Sequence, residues 1–218
     1  SRQIPDGLAA EAAARGATLI AWSQDLADGA AAAARLGDWL AGQSVDAFAS
    51  ATLINNAGVI PRIGPLSEAD IEDLAHALRV GLEAPMLLTA AFLHATARWS
   101  GARKVLNISS GLGRRAMASQ AGYCAAKAGM DHFTRCLALE EALKPNGAKV
   151  CSLAPGVIDT DMQVQLRGAE SAAFPDIGNF IGLKDKGLLT RPADAAHQVL
   201  AFLQRPDFGA DPVADVRD

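Results

Sequence analysis

The chain has 218 residues, half of them apolar and a fifth charged, which suits one sizeable α/β domain and excludes a disordered chain. A net charge of -4 argues against nucleic acid or an anionic membrane as the main partner, and no apolar run reaches the roughly 18 residues of a membrane span. Cys124, Cys136 and Cys151 form no CxxC pair; this odd, unpatterned set suits the reducing cytoplasm better than a disulfide framework, and no metal site is expected.

Apolar strand-like runs alternate with helical ones. ATLIAW (17–22) is a β-leaning run, and Gly29 to Ala41 reads as a helix. ATLINNAG (51–58) is a second strand-like run, stopped by Asn and Gly. Ser67 with Asp70 three residues on resembles a capping box and opens a long helix to about Trp99, with a kink expected at Pro85. KVLNIS (104–109) is the third strand, 121–143 a helix with apolar positions three and four apart, and AKVCSLAP (148–155) the fourth strand. A looser, glycine-containing stretch from about Gln163 to Thr190 follows and is expected to act as a mobile lid. Pro192 then starts a last helix, at a first-turn position that proline tolerates.

Strand–helix alternation implies right-handed crossovers and a doubly wound parallel sheet, Rossmann-like, with ligands beyond the C-terminal strand ends. That rim would gather 55–58, Ser109 with Ser110, 155–160 and the region around Asp25. Tyr123, the only tyrosine, stands four residues before Lys127 on one face of the predicted helix. A neighbouring ammonium lowers a phenol's pKa and fits it for acid–base work. On that pair alone, a half-buried tyrosine beside a solvated lysine is the plainer reading. Ser110, thirteen residues earlier at a strand end, adds a hydroxyl that can hold a carbonyl oxygen, or it is a turn serine before Gly111. NNAG and Pro155-Gly156 read equally as ordinary turns or as places where a flat ligand nears the backbone. Asp25 reads as a helix-entry residue.

Taken in order, NNAG, ISS, YCAAK and APGVIDT closely resemble the short-chain dehydrogenase/reductase family over essentially the whole chain. YCAAKAGMDHF, LALEE and APGVIDTDMQ resemble its sepiapterin reductase and benzil reductase branch, as does the tail FGADPVADVRD. The resemblance implies a single domain, 1–218, that reduces a ketone or diketone carbonyl with hydride from NADPH. Tyr123 would protonate the carbonyl oxygen, Lys127 would lower the tyrosine pKa and hold the nicotinamide ribose, and Ser110 would orient the carbonyl. Asn55, Ala57 and Gly58 would line the adenosine side, with Asp25 and Leu26 on the adenine. Pro155, Gly156, Ile158 and Thr160 would embrace the nicotinamide, and Asp215 would anchor a polar substrate or simply be an exposed terminal aspartate. Arg2 suits the 2′-phosphate of NADP, with NAD also possible, or is a surface arginine. The family pairs its two long helices in homodimers and homotetramers, and 67–99 and 121–143 are apolar on more than one face.

Two departures stand out. Gly81, in RVGLEAP, occupies the family's helix asparagine position; mid-helix glycine costs about 1 kcal/mol against alanine and supplies no amide. The chain is also expected to lack the family's first strand, Gly-rich turn and first helix, about forty residues, leaving unpaired sheet edges. These departures raise an alternative: a catalytically impaired member acting as a binding or scaffold protein.

Overall fold

The structure, a computed structural model, describes Ile4 and residues 6–218. Among these described residues, four strands, β1 (Ser50–Asn55), β2 (Ala102–Ile108), β3 (Lys149–Ala154) and β4 (Val213–Asp215), form one sheet in that order, all parallel. Eight α-helices accompany them: α1 (Leu8–Ala14), α2 (Gly29–Ala41), α3 (Ile71–Leu78), α4 (Ala84–Ala95), α5 (Ala121–Ala142), α6 (Asp161–Arg167), α7 (Ile177–Asp185) and α8 (Pro192–Gln204).

Strand alternation sends neighbouring residues to opposite layers. Val105 and its register partner Val150 join Leu40, Phe92 and Leu137 under α2, α4 and α5. Leu106, Cys151 and Leu153 face the other way, against Leu203 of α8 and Phe208. Both faces of β2 and β3 are therefore covered, which is why those strands read as nearly continuous apolar runs. β1 alternates instead, and Ile54 on its α8-side face is 40 % exposed.

Three expectations are corrected. ATLIAW (17–22) is not a strand, and Ile20 is 55 % exposed. An apolar run becomes a strand only where a neighbour takes up its N–H and C=O groups, and none of the described strands pairs with it. The helix expected over 67–99 is broken: Leu66–Glu68 is a 3₁₀ turn, and the cap is Asp70, whose Oδ1 accepts from the N–H groups of Glu72 and Asp73. The distortion expected at Pro85 falls earlier, as a π-helical turn over Arg79–Glu83, while Pro85 sits harmlessly in the first turn of α4. Gly81 lies buried in that turn, where a Cβ would stand 3.2 Å from the Ala126 Cβ of α5. Finally, the stretch expected to be loose carries α6 and α7. It is fastened by Ser119 Oγ donating to the Ala173 carbonyl at 2.6 Å and by a Lys184–Asp159 ion pair at 2.6 Å.

Candidate active site

The C-terminal ends of β2, β3 and β4 open onto a cavity of about 700 Å³. Its walls include Ser110, Tyr123, Lys127, Gly58, Pro155, Gly156, Ile158 and Thr160. Eight of the residues singled out on the sequence therefore converge on one space. Asp25, Leu26, Asn55 and Ala57 are not in its wall. Asp25 is exposed and its Oδ1 accepts from Ala27 N–H, while Leu26 is half-buried in the same turn. Ala57 is exposed next to Gly58. Arg2 lies outside the described residues.

Asn55 serves from beneath. It is 5 % exposed and donates through Nδ2 to Asn107 Oδ1 at 2.8 Å and Thr89 Oγ1 at 3.1 Å. Asn107 in turn donates to Thr134 Oγ1 at 2.9 Å. This chain of buried amides and a hydroxyl ties β1, β2 and α5 together below the rim, with its polar groups satisfied inside the core.

Ser110 leaves β2 into a 3₁₀ turn, and its Oγ accepts from Leu112 N–H at 3.2 Å. The turn is locked to α5 by Asp131, 1 % exposed, which accepts from Ser109 Oγ at 2.5 Å, Ser152 Oγ at 2.7 Å and Arg114 Nε at 3.2 Å. Gly113 makes this approach possible: a Cβ there would meet Asp131 Oδ2 at 2.7 Å and the Lys127 carbonyl at 2.9 Å. Asp131 was not singled out on the sequence. The available signal was its place four residues after Lys127, hence on the same helical face.

Tyr123 is 8 % exposed, packed among Ile60, Leu166, Phe174 and Phe180. Burial holds its hydroxyl pKa above the ordinary value, although a hydrogen bond with Ser110 pulls the other way. The expectation that Lys127 lowers this pKa is corrected. Lys127 is 4 % exposed, and burial pulls it down to about 8, opposed by the Asp131 carboxylate. Its Nζ donates to the Ile108 carbonyl at 2.7 Å and stands 5.8 Å from the centre of the Tyr123 ring. The result is a protonated phenol beside a hydroxyl and a weakened ammonium.

On the far wall, Gly156 turns the chain out of β3 at φ +83°, a left-handed conformation that disfavours any side chain. Thr160 caps the start of α6 with its backbone, and its side chain is exposed on the cavity rim. Asp215 is also in the wall, but Arg217 donates to both its carboxylate oxygens at 2.6 Å and holds its carboxyl below the usual range. Its charge is spoken for, so it is no free anchor. Cys151 is fully buried in the sheet, its thiol pushed up to about 12 by burial, and is no nucleophile.

These residues fit the nicotinamide–ribose half of a dinucleotide. The buried Lys127 ammonium is a hydrogen-bond donor beside the cavity, and Gly58 lies against it in the wall, where a Cβ would make an ordinary contact 3.6 Å from its Nζ.

Comparison with known proteins agrees with this arrangement. The short chain dehydrogenase family matches residues 5–171. A benzil reductase ((S)-benzoin forming) of Bacillus cereus is 37 % identical over 163 residues, 75 % of this chain and 66 % of that protein. A sepiapterin reductase of Rattus norvegicus is 32 % identical over 170 residues, 76 % of this chain and 63 % of that protein. The matches thus span just under two thirds of either relative. A crystal structure of a short-chain dehydrogenase/reductase from Burkholderia vietnamiensis is 35 % identical with a TM-score of 0.59, covering 100 % of this chain and 83 % of that one. The order of motifs, the parallel sheet and these matches lead to one conclusion: the chain belongs to the short-chain dehydrogenase family.

Proposed function

We propose that this chain carries the catalytic site of a carbonyl reductase that uses NADPH to reduce a ketone or diketone, with Tyr123 as the proton donor. The observation that carries the reading is the convergence of Ser110, Tyr123 and Lys127 on one cavity beyond the strand ends. Benzil reductase among the relatives supports a carbonyl substrate.

Bound in the cavity, the nicotinamide supplies the hydride. The chain's own residues do the rest. Ser110 Oγ donates to the substrate carbonyl oxygen and positions it against the Tyr123 hydroxyl. Tyr123, kept protonated by burial, gives its proton to that oxygen as negative charge develops there. Lys127 holds the ribose through its buried ammonium. Gly58, Pro155, Gly156, Ile158 and Thr160 shape the nicotinamide end, while Asn55 positions β1 from below. Ala57, Asp25 and Leu26 stand toward the adenosine. Arg2 is the sequence feature that favours NADP over NAD.

Absorbance at 340 nm tests this directly. NADPH should be consumed on addition of a 1,2-diketone, and NADH more slowly. A chain that binds dinucleotide by fluorescence titration but consumes none with any ketone would favour the scaffold reading, which the absent amide at Gly81 motivates.

The ammonium of Lys127 is lost as pH rises through about 8, so dinucleotide affinity should be greatest below that pH and weaken above it. Lys127→Met should bind more weakly throughout and lose this pH dependence. Kd measured across the range in both proteins checks the sign.

The outer surface of α5 carries Leu139, 73 % exposed, followed by Leu143 just past its end, 87 % exposed, and α4 adds Met86 at 42 %. Such faces support a homodimer or homotetramer built on these helices. Light scattering should give twice or four times the chain mass, and a monomer would refute this. Among the described residues no helix is long and apolar enough to cross a membrane. We place the protein in the cytoplasm, acting on small carbonyl compounds and not on nucleic acid or membrane.

A further inference from the structure

We propose that Arg115 is a specificity-determining residue: its guanidinium, together with that of Arg217, receives an anionic group on the substrate, so the preferred ketones carry a carboxylate. This rests on the carbonyl-reductase reading and deepens it.

Arg114 and Arg115 follow the 3₁₀ turn that begins at Ser110, and they go to different places. Arg114 is committed to the fold: its Nε donates to the buried Asp131 at 3.2 Å and its Nη2 to the Ala214 carbonyl of β4 at 2.8 Å. Arg115 lines the cavity and is exposed, and its side chain makes no hydrogen bond, ion pair or ring contact among the described residues. Its backbone is nonetheless fixed, since its N–H donates to the Gly111 carbonyl at 3.0 Å, next to Ser110. The group that would orient the carbonyl and the uncommitted guanidinium thus leave one short, anchored turn.

Arg217 adds a second guanidinium to the cavity wall. Asp215 holds it, accepting from its Nε and Nη2 at 2.6 Å each, while Nη1 takes no part and the side chain stays 68 % exposed. The Arg114 bond to Ala214 ties the turn carrying Arg115 to the strand just ahead of Arg217, so both guanidiniums belong to one side of the mouth.

The wall sets the cations Arg115, Lys127 and Arg217 against the anions Asp161 and Asp215, a positive excess in a chain whose net charge is -4. Asp215 is already paired, and Asp161 of α6 forms no ion pair with Arg115. A guanidinium presents a planar fork of donors that matches a carboxylate, and the pairing strengthens where the cavity walls exclude water. The anion belongs to the substrate, because Arg115 stands on the Ser110 side with Leu112 and Met117, whereas Gly58 and Lys127 bound the ribose side. Met162, Leu166 and Phe180 leave an apolar surface for the carbon chain between carbonyl and carboxylate.

Steady-state kinetics on aryl keto acids of increasing tether length, each beside its methyl ester, test the assignment. Wild type should favour the acid of the fitting length over its ester by about 10- to 100-fold in kcat/KM, the size of a charge-assisted contact. Added salt should raise KM for the acid and not for the ester. Arg115→Gln should lose most of the preference, and Arg115→Lys, which keeps the charge but not the fork, should recover part of it. Arg217→Gln, which leaves the Asp215 carboxylate unpaired at the same wall, should lower the preference too. Equal losses on acid and ester, or an acid preference untouched by Arg115→Gln, would overturn the assignment. NADPH Kd should be the same in Arg115→Gln and wild type; weaker binding would assign the guanidinium to the dinucleotide and also overturn it. Wild type that reduces ketones without favouring the acid at any length, or that favours an amine-bearing ketone and so points to Asp161, overturns this inference alone. Wild type inert toward every ketone overturns the carbonyl-reductase reading and this inference with it.

Discussion

Tyr123→Phe should lower kcat for ketone reduction by about a thousandfold or more while leaving dinucleotide Kd within about twofold of wild type. The substitution removes one oxygen. The ring keeps its place among Ile60, Leu166, Phe174 and Phe180, so the wall of the cavity is preserved. What is lost inside the protein is the hydrogen bond with Ser110, a partner that retains the bond it accepts from Leu112 N–H. The melting temperature should therefore move by only a few degrees. In the reaction the loss is larger, because the phenol is the protonated group that burial has held ready at the carbonyl oxygen. Stopped-flow and steady-state measurement of NADPH oxidation, with Kd from fluorescence, separate the two effects. Turnover close to wild type would sink the assignment of Tyr123 as the proton donor.

The second large effect falls on stability. Asp131→Ala should destabilise the fold by roughly 3–5 kcal/mol, since removing one member of a buried charged network leaves the others unpaired. Ser109 Oγ, Ser152 Oγ and Arg114 Nε all lose their acceptor at once, and the first two are fully enclosed. For a chain of this size that corresponds to about 6–20 °C in melting temperature. Asp131→Asn keeps one acceptor oxygen and should cost less. Because the network holds the Ser110 turn against α5, both variants should also raise KM or lower kcat, in the same order as their stability. Thermal denaturation beside kinetics checks this; a stable Asp131→Ala protein would mean that the hydroxyls and Arg114 find other acceptors.

Much of the site was legible because its signals are local. Tyr123 and Lys127 share a helical face by spacing alone, and the ends of β1, β2 and β3 were marked by Asn-Asn-Ala-Gly, Ser-Gly and Pro-Gly. α2 and α8 matched their expected starts because an N-terminal cap and a first-turn proline act within a few residues. The rim was legible too, since parallel strands of known order put their C-terminal ends together. Arg115 was not, because nothing in the Arg114–Arg115 pair tells which guanidinium is held by Asp131 and which is left at the cavity. Nor was β4, three residues long, whose strand character comes from pairing with β3.

By itself, then, the order of residues determined the family, much of the alternation of strand and helix, and that Ser110, Tyr123, Lys127 and 155–160 meet at the mouth of the sheet, because these depend on short-range spacing and chain direction. Only the tertiary structure decided the chemistry of those residues. The depth of burial keeps Tyr123 a protonated phenol and draws down the Lys127 ammonium, reversing the direction that the tyrosine–lysine spacing suggested. It likewise decided that 17–22 is no strand, for want of a neighbour to bond. Burial and pairing are sums over residues far apart in the chain, and only folding brings those residues together.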